Sequence, residues 1–367
     1  MAGEALVRLR TTPPPLRHTD TLIIGGGQAG LATAYEIGRR GGEALVLEAH
    51  ATLGDNWRAR WAGLRLFTPN RYNSLPGLRF PGAPYDLPDR LAVADYLGAY
   101  ATTHGLAVEL GARVTRVVTD TEGGFLTETA DGRHFTSRRV VIAAGAYRTP
   151  RLPSFAERLP PALPALHSSA LSDPDAWLPE AGRRVLVVGA GASGGQLAVA
   201  LSRKHHVTLA GRDPGALPRR LLGRDVYDFL YGLGLMGLRV DGVLGRRLAG
   251  RTDAGEIAVG PSVAQLAEAY GLTRVGRIDD YVEGGFRTVD GEVIHADAVV
   301  FATGYRNRYD FLQVAGALDA EGRPLHRAGV SPVAGLYWVG LHLMRRISSS
   351  LLGGVGADAR DIARLTC

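Results

Sequence analysis

One glycine pattern, written twice, constrains this chain more than any other feature. Residues 21–32 read TLIIGGGQAGLA, with Gly25, Gly27 and Gly30 at G-x-G-x-x-G spacing. Residues 184–198 read RVLVVGAGASGGQLA, with Gly189, Gly191 and Gly194 at the same spacing. A lone pattern of this kind is weak evidence. Here each follows a short apolar run and opens a small-residue helix, which is the context in which such a turn receives a pyrophosphate. The glycines allow a tight turn and close backbone approach, while the helix N-terminus presents free N–H groups and a positive dipole end. The bland alternative is a tight strand–helix turn with no ligand.

The surrounding residues repeat as well. The first unit predicts a strand at 21–24, a helix at 31–40 and a strand at 43–48; the second predicts a strand at 184–188, a helix at 196–204 and a strand at 207–210. Further on, both units pass through EGGF (Glu122–Phe125 and Glu283–Phe286) and a hairpin turn (Asp131-Gly132 and Asp290-Gly291). Both then end a buried strand in a small-residue turn, Ala143-Ala144-Gly145 and Ala302-Thr303-Gly304. Gly25 to Gly189, Glu122 to Glu283 and Ala143 to Ala302 are 164, 161 and 159 residues apart. Three landmarks in one order at closely agreeing offsets predict two α/β domains of the same Rossmann-like architecture, each carrying a small antiparallel meander. A chain of 367 residues has room for both. The stretch after Gly304, with a strand candidate at 335–340 and a small-residue helix near 356–364, is too short for a third domain. It therefore returns to complete the first, which makes 19–152 and 303–367 one domain and 153–302 an insertion. Residues 1–18, with Pro13-Pro14-Pro15, read as a leader.

The two units differ where charge decides the ligand. Glu48 follows the second strand of the first unit, 23 positions after Gly25. A carboxylate there accepts hydrogen bonds from ribose hydroxyls and repels a 2′-phosphate. Arg212 stands 23 positions after Gly189, and its planar, permanently charged fork suits a 2′-phosphate. Asp213 is beside it and offers a simpler role, an ion pair with Arg212. The contrast predicts FAD in the first unit and NADPH in the second, with Gln28, Ala29, Ser193 and Gln196 at or just before the starts of the two helices near the phosphates, Ala144, Gly145, Thr303 and Gly304 in the closing turns, and Gly340 at the end of the last strand.

Composition removes other classes. The formal charge of +6 is carried almost wholly by scattered arginines, with Lys204 the only lysine, so no basic run points to nucleic acid. The only cysteine is Cys367, which excludes a disulfide framework, a cysteine metal site and a C-x-x-C redox pair. No metal site is expected. No apolar h-region opens the chain and no apolar run reaches the ~20 residues of a membrane helix, so the expectation is a cytoplasmic protein without membrane or nucleic-acid partners. A homodimer is left open.

Beyond the repeat, GDNWRARWAGLRLFTPNRYNSLPGLRFPGAP (54–84), LHSSALSDP (166–174), GRD (223–225), FATGY (301–305) and SSSLLGGVGADA (348–359) resemble the flavin-containing monooxygenase-like, class B flavoproteins. The likeness is to the short bacterial branch described as flavoproteins linked to cation transport, and it covers nearly all of the chain after residue 18. The resemblance implies that Trp57, with Asn56 and Arg58 beside it, packs near the flavin, against the plainer reading of Trp57 as core. It puts Val114 on the adenine side. It also implies oxygen transfer: NADPH reduces FAD, O2 adds at flavin C4a, and one oxygen atom passes to a small-molecule substrate. Two departures stand against the last step. Where many relatives place an asparagine beside the flavin, this chain has Thr68, with Asn70 or Asn73 in reach only if the register differs. Thr68 and Asn70 are the catalytic candidates. In the fingerprint F-x-G-x-x-x-H-x-x-x-(W/Y/F) only His167 survives, since Pro161, Leu163 and Leu171 replace its partners; His167 is either structural or a hinge residue. A flavin reductase without oxygen transfer and a redox-sensing regulator remain the rivals. Residues 214–273, with an arginine-, leucine- and aromatic-rich stretch at 218–240, read most plainly as a surface or core helix and leave open a pocket wall, a cleft cover or a dimer contact.

Overall fold

The computed structural model describes residues 16–145, 147, 149–252 and 258–367. Most of the leader lies outside them, but the first strand starts at Arg17, inside the leader's expected range. Strand β1 (Arg17–Ile24), helix α1 (Gln28–Gly38), β2 (Ala44–Leu47), α2 (Arg90–Thr103) and β3 (Val108–Glu109) are followed by a meander, β4 (Val114–Thr119), β5 (Phe125–Thr129) and β6 (His134–Ile142). The second unit contributes β7 (Ala165–His167), β8 (Arg184–Val188), α3 (Ala192–Leu201), β9 (His206–Ala210), α4 (Val226–Gly232), α5 (Val263–Tyr270), β10 (Thr273–Val275), a meander β11 (Ile278–Val282), β12 (Gly285–Thr288) and β13 (Val293–Ile294), and β14 (Ala298–Phe301). The chain then returns with β15 (Leu336–Trp338) and α6 (Val355–Thr366).

The first sheet runs β3-β2-β1-β6 in parallel, with β15 also parallel to β6 and the meander antiparallel beyond it. The second is wholly parallel, β10-β9-β8-β14-β7. This is the expected α/β architecture, one Rossmann-type sheet inserted in the sequence of another. Strands buried on both faces need apolar side chains in both alternations, and the sequence supplies them. Ile23, Val46 and Val141 face α1, α2 and α6, while Leu22, Ile24 and Ile142 face Phe125, Phe135 and Trp338. Val185, Val187 and Val300 pack with α3 and α5, and Leu186, Val188 and Phe301 with Phe155 and Phe286.

The repeat is not perfect. In the first unit β6 is one long strand serving both the meander and the parallel sheet. In the second those jobs are divided between β13 and β14, so its meander is a separate sheet. The fifth parallel strand follows the repeat in the first unit, as β15, and precedes it in the second, as β7. A two-residue antiparallel ribbon, Tyr305↔Pro150 and Arg306↔Thr149, marks the double crossing between the units. The 55–64 segment also bridges them: Trp57 packs on the first unit's core and Trp61, four residues later, on the second's.

Candidate functional site: two glycine loops

The six glycines fall into two physical kinds. Gly25 and Gly189 have φ of +112° and +113°, a region where side chains are strained. A Cβ on them would lie 2.5 Å from the Ala143 carbonyl oxygen and 2.3 Å from that of Ala302. A Cβ on Gly30 or Gly194 would lie 1.9 or 1.8 Å from the carbonyl oxygen of Gly25 or Gly189. The fold itself requires these four. Gly27 and Gly191 differ: their φ is −81° and −73°, open to any residue, and a Cβ on either would meet nothing within 4 Å. Neither the backbone nor the packing explains glycine there. A ligand drawn close to the backbone would explain it, and the two loops fit a bound pyrophosphate. Both residues are N-caps of helices with no side-chain cap, whereas Asp89 caps α2 and Ser262 caps α5. The first-turn N–H groups of α1 and α3 are thereby left to an anion.

The charged residues after β2 and β9 also separate. Glu48 is turned toward its loop, with Oε2 accepting from Gly26 N at 2.8 Å and Oε1 from His50 N at 2.9 Å. Arg212 is exposed and, among the described residues, makes no hydrogen bond or ion pair. The simpler alternative for it is not realised, because Asp213 accepts from Gly215 N at 2.9 Å and lies 4.0 Å from Arg274. Ser193 is exposed in the first turn of α3; Gln196 Nε2 donates to the Arg65 carbonyl of the first unit at 3.3 Å.

Around the first loop, Gln28 Nε2 donates to the Ser350 carbonyl at 3.3 Å, and a Cβ on Gly340 would come within 2.7 Å of Ala29 Cβ. The 340–354 return is thus laid against the loop. Val114 and Ala144 pack on the same face as Leu45, beside the Gly145 turn at φ +75°. Asn56, Trp57 and Arg58 form one helical turn. Asn56 is exposed; Trp57 is partly buried with Nε1 unpartnered; Arg58 reaches the Leu53 carbonyl at 2.8 Å and Asp95 at 2.7 Å.

The two catalytic candidates do not converge. Thr68 is buried, and its hydroxyl donates to Asn73 Oδ1 at 2.6 Å while Asn73 Nδ2 donates back to the Thr68 carbonyl at 2.9 Å. The Thr68 proton is committed within the protein. Asn70 donates through Nδ2 to the Ala83 carbonyl at 2.9 Å and lines a separate cleft of about 480 Å³ with Phe80, Gly82, Asp86 and Asp89.

His167 sits at the crossing between the units. Its Nδ1 accepts from Ser169 N at 3.1 Å, so the proton is on Nε2, which donates to the Gly304 carbonyl at 2.9 Å. Burial holds its pKa below the usual imidazole range. Gly304, at φ +77°, also accepts from Arg151 N at 2.9 Å, and Thr303 Oγ1 donates to the Arg151 carbonyl. The Tyr305 ring packs edge-on to His167, and its hydroxyl accepts from Arg60 at 2.6 Å. Its contacts with Ser169, Gly304 and Tyr305 are those of a structural residue at the crossing between the units.

Sequence reasoning missed Trp61 and the contacts of 219–240. Arg219 pairs with Asp225 at 2.8 Å and donates to the Phe67 carbonyl. Nothing in the local sequence separated it from the many other arginines. No described helix is long and apolar enough to cross a membrane.

Comparison with known proteins agrees with this geometry. The pyridine nucleotide-disulphide oxidoreductase family matches residues 22–220. An uncharacterized CzcO-like oxidoreductase of Geobacillus kaustophilus is 33% identical over 93% of this chain and 96% of its own. The indole-3-pyruvate monooxygenase YUCCA1 of Oryza sativa subsp. japonica is 28% identical over 94% of this chain and 90% of its own. A flavin-containing monooxygenase from Stenotrophomonas maltophilia superposes with a TM-score of 0.77 at 27% identity, covering 95% of this chain and 98% of that one. The chain belongs to the pyridine nucleotide-disulphide oxidoreductase family, in its flavin-containing monooxygenase-like branch, and is a flavin-dependent oxidoreductase/monooxygenase.

Proposed function

We propose that this protein is an NADPH-dependent FAD monooxygenase acting on a small molecule, with FAD in the domain formed by 19–152 and 303–367 and NADPH in the domain 153–302. One observation carries the reading: Gly27 and Gly191 are glycines that the protein's own packing does not need. The difference between Glu48 and Arg212 supports the assignment of the two cofactors.

In this account the N-terminal turn of α1, with Gly27, Gln28 and Ala29, receives the FAD pyrophosphate. Glu48 accepts from ribose, and Val114 with Ala144 lies along the adenosine. Trp57 and Thr68 flank the flavin ring. Gly191, Ser193 and Gln196 hold the NADPH pyrophosphate, and Arg212 the 2′-phosphate. Bound FAD supplies the redox chemistry, accepting hydride from NADPH and activating O2 for transfer of one oxygen atom. The chain's own work is positioning and exclusion of water. Trp61 and His167 fix the second domain against the first, so that the two cofactors meet.

The Thr68–Asn73 pair favours a second reading, an NADPH-dependent flavin reductase. Its internal hydrogen bonds leave no hydroxyl proton for a flavin edge. Rapid mixing decides between them. The FAD-reconstituted protein is reduced anaerobically with NADPH and then mixed with aerated buffer. A transient absorbance distinct from oxidised and reduced flavin, prolonged by NADP⁺, is expected of the monooxygenase. Direct return of the oxidised spectrum with one peroxide per NADPH would establish the reductase.

A further inference from the structure

Between β9 and β10 the chain leaves the second sheet, and residues 219–240 lie on the first domain. Three sets of contacts hold them. Arg219 donates to the Phe67 carbonyl. A short backbone ladder joins 236–240 to 345–348: Val240 N donates to Arg345 O at 3.0 Å, Ile347 N to Leu238 O at 3.1 Å and Ser348 N to Met236 O at 3.2 Å. On α4, Asp228 collects donors from one loop of the first domain: the Tyr72 hydroxyl, the Tyr85 hydroxyl at 3.1 Å and the Arg71 guanidinium at 3.3 Å. The Tyr72 ring stacks on Tyr231 at 4.3 Å and 8°. The Arg71 guanidinium lies over the rings of Tyr72 and Tyr85, 5.1 and 5.2 Å from their centroids.

Asp228 is the centre of this cluster. Its side chain is only 12% exposed, and hydrogen bonds to a shielded carboxylate are the stronger kind. Tyr72 carries the contact onward. Its carbonyl oxygen abuts Gly353, where a Cβ would stand 1.8 Å away. Three residues earlier, the Ser350 carbonyl accepts from Gln28, the first residue of α1. Contacts therefore lead from Asp228 through Tyr72 to Gly353, the backbone of 350–353 carries the connection to Ser350, and Ser350 meets Gln28 at the first glycine loop.

We propose that Asp228 is a positioning residue: acting through Tyr72, it sets the 350–353 turn against the first glycine loop and latches the second domain onto the first, through residues distinct from those of the Thr149–Pro150 ribbon. This rests on the reading that the first loop holds FAD and the second NADPH. The latch lies in neither glycine motif, and its carboxylate touches no cofactor-binding residue directly.

The test uses the full chain reconstituted with FAD, as wild type, Asp228→Ala, Asp228→Asn and Tyr72→Phe. Hydrogen exchange reads the latch on peptides covering 226–240 and 345–353. Anaerobic reduction by NADPH reads its consequence, with the limiting rate separated from the half-saturating NADPH concentration. Asp228→Ala should speed exchange in both peptides and lower the limiting rate, each roughly tenfold, the scale of losing a hydrogen bond to a charged group. Half-saturation should stay unchanged. Asp228→Asn, which keeps an acceptor oxygen, should recover part of both effects, and Tyr72→Phe should reproduce part of them. Unchanged exchange and rate in Asp228→Ala would overturn the proposal, as would a loss expressed wholly as weaker NADPH binding. If Asp228→Ala does not fold, the same criteria applied to Tyr72→Phe decide. If wild type binds no FAD, the cofactor reading fails, and the exchange comparison alone decides whether the latch exists.

Discussion

The two glycine loops are almost superimposable in what the fold demands and different in what a ligand would feel. Gly25 and Gly189 share their φ to within a degree, and Gly30 and Gly194 press equally on their own loops. Beyond the second strands the likeness stops. Glu48 is drawn into its loop by Gly26 N and His50 N, while Arg212 stands exposed with no partner among the described residues. A structural charge acquires partners inside the protein, because an unpaired buried charge is expensive. A guanidinium with no such partner is available for a ligand. The comparison separates residues that make a Rossmann turn from residues that choose its occupant.

The sharpest way to break the symmetry is to fill one loop at a time. Gly30→Ala and Gly194→Ala each force a methyl against a carbonyl oxygen of their own loop, and each should destabilise its domain by about 3 kcal/mol. The urea midpoint measures this. Equal tolerance of both substitutions would mean that the close approach is not what the glycines are for. Arg212→Ala comes next. Loss of hydrogen bonds between a guanidinium and a phosphate should weaken NADPH binding by roughly tenfold to a hundredfold, with little change for NADH. Equal loss for both nucleotides would refute the 2′-phosphate assignment.

The smallest effect concerns His167 at the crossing between the units. His167 is neutral and its pKa is depressed by burial, so the folded state resists protonation more than the unfolded chain does. Its stabilising contribution is complete above the ordinary imidazole pKa and is lost as pH falls through the lower folded value. The stability gap between wild type and His167→Gln, read from urea midpoints across this range, should therefore narrow as pH falls. A gap that widens on acidification would contradict the neutral Nε2–H assignment.

Much of the fold was legible because it is written in short-range patterns. The glycine spacing, the apolar runs and the Asp131-Gly132 and Asp290-Gly291 turns all act within a few residues. The strands pair in the order those patterns imply. Long-range choices were less visible. That β7 precedes its repeat while β15 follows its own is decided by which strand reaches the free edge of β14 or β6, and no local residue encodes it. The site shows the same division. The glycines and the Glu48–Arg212 contrast could be read in place. Thr68 could not, because its hydroxyl is taken by Asn73, five residues on and in contact only through the fold. Asp228 was equally hidden, since Tyr72 and Tyr85, which make it a cluster, lie more than 140 residues away.

If one loop holds FAD and its twin NADPH, the two glycines that meet nothing in the protein itself are where the difference shows. Gly27→Ala and Gly191→Ala introduce no clash, so both proteins should keep wild-type stability to within about 0.5 kcal/mol. After FAD reconstitution and anaerobic titration with NADPH, Gly27→Ala should lose the visible flavin band. Gly191→Ala should keep the band but need at least tenfold more NADPH to bleach it. Full flavin content and unaltered NADPH titration in both variants would contradict the account.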